Sequence, residues 1–284
     1  MNHFKGALNK AGSSLRSIRS FYFICGFFLG LILYFYTEDQ YEKELFGALA
    51  NNIKAQAGNQ FHNESVVLSA NHLVHALEQD RQAAFSGMRL NGFKARYLQP
   101  ITYDLMTGKG ACGSNSRVLA RLLIEMDYPV RIAQMKVNNN YGGHIVVEAN
   151  VKGKWVVLDP LYDLSFRKTN GEMASFNEVG KDWANFKNQL PEGYNPAYNY
   201  QGVRYTNWDK VPVLLPALYK TLTVVKGQQW ADQVSLRVII LRKFRFFLIL
   251  SIAGFALLLS TRIRLLKRKR TSADPVRGKM LQVA

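Results

Sequence analysis

Cys112, His144 and Asp159 are the residues of this chain whose types and positions could support catalysis. Cys112 lies between Gly110 and Gly113 at the predicted start of a helix, where free N–H groups and the helix dipole stabilise a thiolate. Imidazole is the base that activates a thiol and later protonates a leaving amine, and a carboxylate can orient that imidazole. Together the three residues indicate nucleophilic acyl chemistry.

Regular elements are predicted to bring these residues together. After the helix that begins near Cys112, three β-like stretches follow at 130–137, 144–151 and 155–158. Their short connections favour antiparallel neighbours, so His144 begins one strand and Asp159 ends the next. Upstream, we predict a helix over 64–81 and an irregular segment over 82–111. We expect Trp155 and Leu158 to be buried behind the strand of His144.

The register between the last two strands stays open at this stage. A turn centred on Gly153 sets His144 opposite Tyr162, which leaves Asp159 three residues away from direct opposition. A turn centred between Val151 and Lys152 instead places His144 directly opposite Asp159.

The segments around these residues resemble the transglutaminase-like superfamily over roughly residues 100–165. The similar motifs are Gly110-Ala-Cys112-Gly-Ser with the helix after it, Tyr128-Pro-Val-Arg131, Gly143-His144-Ile-Val-Val-Glu148 and Lys154-Trp155-Val-Val-Leu-Asp159-Pro160. The resemblance implies an α+β, papain-like fold in which a helix with the nucleophile packs on an antiparallel sheet with the base and its orienter. It also implies acyl chemistry at an amide: transamidation, peptide cleavage, deamidation or removal of an amide-linked group.

Two further features follow from the resemblance. The family uses an upstream side chain as a second oxyanion donor, for which Tyr103 is a candidate and Gln99 a weaker one. Large members of the family bind calcium, but no cluster of acids with the spacing of an oxygen cage occurs here, so we predict no metal and no cofactor.

His72 and His75, three residues apart, lack a third ligand and are interpreted as ordinary surface or half-buried histidines.

The distribution of charge argues against nucleic-acid binding. The formal net charge is +17, but residues 1–20 contain four Lys/Arg and no acid, and residues 237–284 contain twelve Lys/Arg and one Asp. The stretch 21–236 is close to neutral. Basic ends around a neutral middle are typical of membrane topology and differ from the basic groove that a phosphate backbone needs. We therefore predict no nucleic-acid partner.

Two uncharged, apolar runs lie near the ends of the chain, between Arg19 and Glu38 and between Arg245 and Arg262. The first approaches the roughly 20 residues that a helix needs to cross a bilayer. A cleavable signal peptide is the alternative, but the run ends in aromatic residues and shows no cleavage site. The second run is shorter, and its flanking arginines can snorkel to the headgroups. A buried core helix is the alternative there.

The positive-inside rule places both termini in the cytoplasm and the region between the runs outside it. We therefore expect an integral protein of a bacterial-type inner membrane, in contact with lipids through two spans, with a periplasmic catalytic domain. The predicted organisation is a cytoplasmic N-terminus (1–19), a transmembrane helix (20–37), an extracytoplasmic transglutaminase-like domain (38–236), a basic interfacial segment (237–245), a transmembrane helix (246–261) and a basic cytoplasmic tail (262–284).

The chain has only two cysteines, and they cannot pair in this topology. Cys25 lies in the first apolar run, where it serves as a small apolar residue. An unpaired thiol in an oxidising compartment tends to be a liability, so the presence of Cys112 outside the membrane calls for a functional reason.

These features predict a membrane-anchored thiol enzyme, either an acyltransferase or a hydrolase, that acts on a peptide or an amide-bearing envelope component. The alternative is a catalytically silent scaffold subunit of a surface-polymer assembly or export complex. The ordered Cys, His and Asp favour the enzyme, because a scaffold has no use for them. The sequence does not indicate an oligomeric state.

Aromatic residues downstream of Asp159 form either a platform for sugars or peptides or part of the core. They are Tyr194, Tyr198, Tyr200, Tyr205 and Trp208.

Overall fold

The computed structural model describes residues 18–57, 63–85 and 92–273. The chain divides into a central unit, Tyr41–Lys243, and a second unit built from the two ends. The central unit is α+β with a five-stranded antiparallel sheet, as the sequence predicts at this level. Expectations for residues 1–17 and 274–284, in the predicted cytoplasmic N-terminus and tail, lie outside the described residues.

The elements are numbered in chain order. The helices are α1 (Ile18–Ala57), α2 (Glu64–Ala84), α3 (Ile101–Thr107), α4 (Ala111–Glu125), α5 (Phe176–Lys181), α6 (Trp183–Phe186), α7 (Leu214–Lys226), α8 (Gln228–Gln233), α9 (Arg237–Leu241) and α10 (Lys243–Ala273). A π-helical turn spans Lys94–Leu98 and a 3-10 turn spans Lys187–Gln189. The strands are β1 (Val130–Val137), β2 (Asn140–Val151), β3 (Lys154–Asp159), β4 (Leu164–Ser165) and β5 (Val203–Arg204), in the spatial order β4-β3-β2-β1-β5.

The turn between β2 and β3 decides which side chains share a face of the sheet. Val151 pairs with Lys154, so the turn contains only two residues, Lys152 and Gly153, with φ angles of 52° and 88°. Positive φ at both positions matches the twist of a tight hairpin. Neither register considered from the sequence occurs. If the observed pairing is continued beyond Val147 and Leu158, Leu161 lies opposite His144. Asp159 is two residues from Leu161, so the side chains of His144 and Asp159 point to the same face of the sheet.

Strand β2 begins at Asn140, four residues before the predicted start at His144. The register of β1 and β2 shifts between Met135 and Lys136, and Gly142 and Gly143 of β2 lie in this irregularity. A Cβ atom at Gly143 would lie 2.6 Å from the Cβ of Val137. Only glycine therefore lets the strands approach each other directly before His144.

The sheet is buried on both faces. On one face, Ile132, Val147 and Leu158 belong to a core shared with α2, α4 and the C-terminal half of α1, to which α1 contributes Phe46. On the other face, β-strand residues such as Val146 pack against Phe and Tyr side chains from the region after β4. Successive residues of a strand face opposite sides of the sheet. Because both sides are covered, the strands contain continuous apolar runs.

Two details differ from the expectations. Helix α3 lies within the segment 82–111 that was predicted to be irregular; it follows Pro100 and ends at Gly108, whose φ is 58°. Its single apolar face over two turns is too short to give a clear sequence period. Leu158 is fully buried as expected, but Trp155 is only half-buried; the guanidinium of Arg131 covers its ring, 4.1 Å from the ring centroid.

Helices α1 and α10 are long and apolar enough to cross a membrane, which is a hint of membrane association. Both are longer than the predicted spans, since α1 continues to Ala57 as a polar helix and α10 begins at Lys243. Within the terminal unit the apolar parts of the two helices pack together. Phe35 lies 5.3 Å from Phe247 between ring centroids, and a Cβ at Gly254 would meet the ring of Phe28. Within the segment 237–245 the chain forms the short helix α9 and the start of α10; whether this segment lies at a membrane interface stays a prediction.

Candidate functional site

Cys112 lies in the first turn of α4. The preceding residue, Ala111, has a φ of 44°, a conformation that costs energy for a residue with a Cβ and marks a sharp entry into the helix. The N–H groups of Gly113 and Ser114 donate to the carbonyl of Gly110, whereas that of Cys112 makes no hydrogen bond to any described residue. The half-buried thiol is therefore accompanied by a free backbone donor.

His144 and Asp159 form a buried hydrogen-bonded pair. Nε2 of His144 donates to Oδ2 of Asp159 over 2.6 Å, and neither side chain is more than 1% exposed. The Asp159 carboxylate also accepts a hydrogen bond from the N–H of Leu161 and a longer one, 3.4 Å, from the hydroxyl of Tyr194. These bonds hold the carboxylate, and with it the orientation of the imidazole.

Cys112 and His144 influence each other's ionisation. Burial alone raises the pKa of the Cys112 thiol, but the nearby imidazole of His144 and the N–H of Ile145 stabilise the thiolate and outweigh burial, so that the pKa lies below its ordinary value. Burial lowers the pKa of His144, but the Asp159 carboxylate, which accepts a hydrogen bond from Nε2, and the Cys112 thiolate outweigh burial and raise the pKa to about 9. Because Nε2 is bonded to Asp159, Nδ1, which is buried and has no hydrogen-bond partner in the described part of the chain, is the nitrogen that remains for the thiol. This electrostatic coupling favours a thiolate–imidazolium pair.

A hydrogen bond joins helix α4, which carries Cys112, to strand β2, which carries His144. The hydroxyl of Ser116 on α4 donates over 2.7 Å to the carbonyl of Ile145, the residue after His144. Ser116 is fully buried. Since this hydrogen bond lies four residues from Cys112 and one from His144, it restrains the distance between α4 and β2 near the site.

Tyrosines from both sides of β4 in the chain cover the imidazole. The ring of Tyr198 stacks on His144, with centroids 4.2 Å apart and planes 6° apart, and Tyr162 contacts it edge-on. Behind them, the buried hydroxyls of Tyr194 and Tyr200 are 3.2 Å apart. Tyr194, Tyr198 and Tyr200 thus pack around the site and the core, whereas Trp208 contacts Tyr219. No local pattern in the sequence connects these tyrosines to a strand pair some 35 residues earlier, so the sequence does not predict their place at the site.

His72 and His75 hold the loop after Asp159. Nδ1 of His72 donates to Asp163 over 2.6 Å, and Nδ1 of His75 donates to the carbonyl of Pro160 over 3.1 Å. Both are ordinary surface or half-buried histidines in their exposure, as predicted. Within the described part of the chain, no group of three or more His, Cys, Asp or Glu is arranged to hold a metal ion.

A buried acidic cluster lies behind α4. Burial and the charge of Asp104 raise the pKa of Glu78 to about 8, although Arg81 and the hydroxyl of Ser114 act in the opposite direction. Burial also raises the pKa of Asp104, which forms an ion pair with Arg117. The cluster joins α2, α3 and α4 next to the first turn of the nucleophile helix.

Neither candidate for the second oxyanion donor contacts the three residues. Tyr103 lies half-buried on α3, and Gln99 has a φ of 42° and accepts a hydrogen bond from Lys243 at its carbonyl. Among the described residues, no hydrogen bond or ring contact joins either side chain to Cys112, His144 or Asp159. The role of these two residues stays a prediction.

No protein-family model, no curated protein and no solved structure matches this chain. Functional inference therefore depends on the geometry and chemistry of the site itself.

Proposed function

We propose that this protein is a membrane-anchored thiol enzyme that breaks or exchanges an amide bond through Cys112, His144 and Asp159. One observation carries the proposal: a half-buried cysteine at a helix start is electrostatically coupled to a buried imidazole, whose other nitrogen is bonded to a buried carboxylate. Burying a carboxylate and an imidazole costs free energy, so their position beside the only thiol of the central unit argues for a chemical role.

The first half of the reaction forms a thioester. The Cys112 thiolate attacks the amide carbonyl carbon, and negative charge develops on the carbonyl oxygen. The free N–H of Cys112, at the positive end of α4, is a suitable donor to that oxygen. The carbon–nitrogen bond then breaks, and the leaving amine takes the proton of the His144 imidazolium.

The second half releases the acyl group. Neutral His144 accepts a proton from water or from an acceptor amine, which attacks the thioester carbonyl. The carbon–sulfur bond breaks, and the thiolate returns beside the imidazolium. Water as acceptor makes the enzyme an amidase or protease, whereas an amine makes it a transamidase. Asp159 stabilises the imidazolium in both halves by holding Nε2.

Membrane anchorage is part of the proposal. The apolar parts of α1 and α10 would span the bilayer, with both termini in the cytoplasm and the central unit in the periplasm, because the basic residues concentrate at the chain ends. The substrate would then be a peptide or an amide-bearing component of the cell envelope.

The test uses the detergent-solubilised chain with Cys25 replaced by serine, so that Cys112 is the only thiol. The protein is treated with chloroacetamide, an amide-like electrophile, and alkylation of Cys112 is followed by intact-mass spectrometry. We expect rapid labelling at neutral pH and a decrease of about 10²-fold or more in Asp159→Asn, which keeps the shape but loses the charge that supports imidazolium.

Matched controls separate catalysis from folding. Asp163→Asn alters a nearby carboxylate that binds Asn71 and His72, and we expect it to label at nearly the original rate. If Cys112 reacts no faster than a free thiol, and equally in both variants, the enzyme proposal is wrong and a silent scaffold is the better account.

A further inference from the structure

A polar cavity lies in the central unit, and none of the three residues lines it. It has a volume of about 270 Å³, and its lining includes Arg117, Lys210, Arg237, Ile240 and Lys243. Four of these residues are cations and none is an acid. The cations come from four separate parts of the chain, namely α4, the segment after β5, α9 and the start of α10. Folding therefore brings the four positive charges together around the cavity.

Only part of this positive charge is neutralised by the protein. Arg117 pairs with Asp104, and the charges of Glu42 and Asp104 act on Lys243, whose ammonium also donates to the carbonyls of Leu98 and Gln99. In the described residues, neither Lys210 nor Arg237 forms an ion pair. Burial lowers the pKa of Arg237, and the charges of Arg204 and Arg117 lower it further. Gathering like charges in a partly enclosed space is unfavourable unless an anion offsets it.

We propose that this cavity binds the phosphate group of an anionic phospholipid. Guanidinium and ammonium groups form short, charge-assisted hydrogen bonds to phosphate oxygens, and several cations around one cavity suit the two non-bridging oxygens of a phosphodiester. The occupant is therefore an anion with several acceptor oxygens.

The surroundings of the cavity favour a lipid over free phosphate. Ile239 and Ile240 of α9 are each 56% exposed, and Ile240 lines the cavity, so an apolar surface adjoins the cations. Lys243 is the first residue of the apolar helix α10, so this lining residue would lie at the membrane surface if α10 spans the bilayer. A headgroup phosphate in the cavity would place the acyl chains toward these apolar residues. This step rests on the proposed membrane anchorage.

The test measures the thermal unfolding midpoint of the full chain in detergent. Three probes are added separately: dihexanoyl phosphatidylglycerol, dihexanoyl phosphatidylcholine and inorganic phosphate. We expect phosphatidylglycerol to raise the midpoint in a dose-dependent and salt-sensitive way, and the zwitterionic lipid to have little effect. The double variant Lys210→Gln/Arg237→Gln should bind phosphatidylglycerol about tenfold more weakly or worse.

The control is Lys220→Gln/Lys226→Gln, which removes two exposed charges of α7 that do not line the cavity. Native mass spectrometry of bound lipid checks the result if the cavity variant is itself destabilised. Equal effects of both lipids, or equal binding by the two double variants, would overturn the proposal. A midpoint shift by inorganic phosphate that matches phosphatidylglycerol would overturn the lipid assignment in favour of free phosphate.

Failure of this proposal is distinguishable from failure of the enzyme proposal. Alkylation of Cys112 is measured on the same preparations and does not depend on the cavity cations. Loss of lipid binding with normal Cys112 reactivity in Lys210→Gln/Arg237→Gln is the combination that supports both.

Discussion

The imidazole of His144 lies flat against the ring of Tyr198, with 4.2 Å between the ring centroids and 6° between the planes. Tyr198 lies in a loop 39 residues beyond Asp159 in the chain. The stack covers a face of the imidazole whose Nε2 is bonded to Asp159. An aromatic cover of this kind keeps water from competing for that hydrogen bond.

Loss of the Tyr198 ring should slow alkylation of Cys112 without unfolding the protein. An aromatic stack is worth about 0.5–1.5 kcal/mol, so we expect Tyr198→Ala to reduce the chloroacetamide rate by up to about tenfold. Tyr198→Phe keeps the ring and should stay within about twofold of the original rate. Identical rates in Tyr198→Ala and Tyr198→Phe, with equal thermal midpoints, would show that the stack has no influence on the site.

The pH dependence of alkylation should reveal the coupling of Cys112 and His144. In the Cys25→Ser background, His144 lowers the pKa of the thiol, so alkylation should persist well below the ordinary thiol pKa of about 8.5. Since the pKa of His144 is raised to about 9, a second change in rate is expected near that pH, when the imidazolium loses its proton.

The variant His144→Ala removes this stabilisation but leaves the thiol partly buried. Because burial alone raises the pKa of Cys112, the midpoint of alkylation should move above about 8.5 and the second change near pH 9 should disappear. Superimposable pH profiles for the two proteins would mean that the imidazole and the thiol are not coupled.

Glu78 should make the protein less stable as the pH rises. Burial and Asp104 raise its pKa from 4.5 to about 8, so between these values the folded state holds a proton that the unfolded state has released. The free energy of unfolding should therefore fall with increasing pH in this window, by up to about 1.4 kcal/mol per unit. Glu78→Gln cannot ionise and should lose this slope, as measured by urea unfolding at pH 5, 6, 7 and 8.

The matched control is Asp80→Asn, which removes an exposed carboxylate from the same helix and should keep the slope. Parallel curves for Glu78→Gln and the unmodified protein would contradict the assignment of this proton to Glu78.

The buried ion pair of Arg131 and Glu148 should be important for stability. The Glu148 carboxylate accepts hydrogen bonds from Nε of Arg131 (2.8 Å), the hydroxyl of Tyr205 (2.5 Å) and the N–H of Phe176 (3.1 Å). Glu148→Gln leaves the buried guanidinium without a counter-ion and should lower the free energy of unfolding by about 3–5 kcal/mol.

A surface pair provides the comparison for this measurement. Glu172 bonds Lys154 over 2.7 Å, but its side chain is 41% exposed, so Glu172→Gln should change the free energy of unfolding far less than Glu148→Gln does. Equal costs for Glu148→Gln and Glu172→Gln in urea unfolding would show that the buried pair contributes no more than a solvated one.

Local sequence was sufficient to place Cys112 on its helix and His144 and Asp159 on their strands. Strand β1 has the predicted bounds, and Cys112 lies in the first turn of its helix, because alternation and helical spacing reflect burial on one face of each element. The antiparallel order of β1, β2 and β3 was also predictable, since connections of a few residues leave neighbouring strands no other arrangement. In each case the information lies within a few residues of the chain.

The tertiary structure alone decided which of these residues meet. A two-residue turn at Lys152 and Gly153 sets His144 and Asp159 on one face, whereas a shift of a single residue would have separated them. The stack of Tyr198 on His144 and the four cations around the polar cavity join segments far apart in the chain. Such contacts arise when the whole chain closes around its core, and since their energy depends on mutual packing, no local period records them.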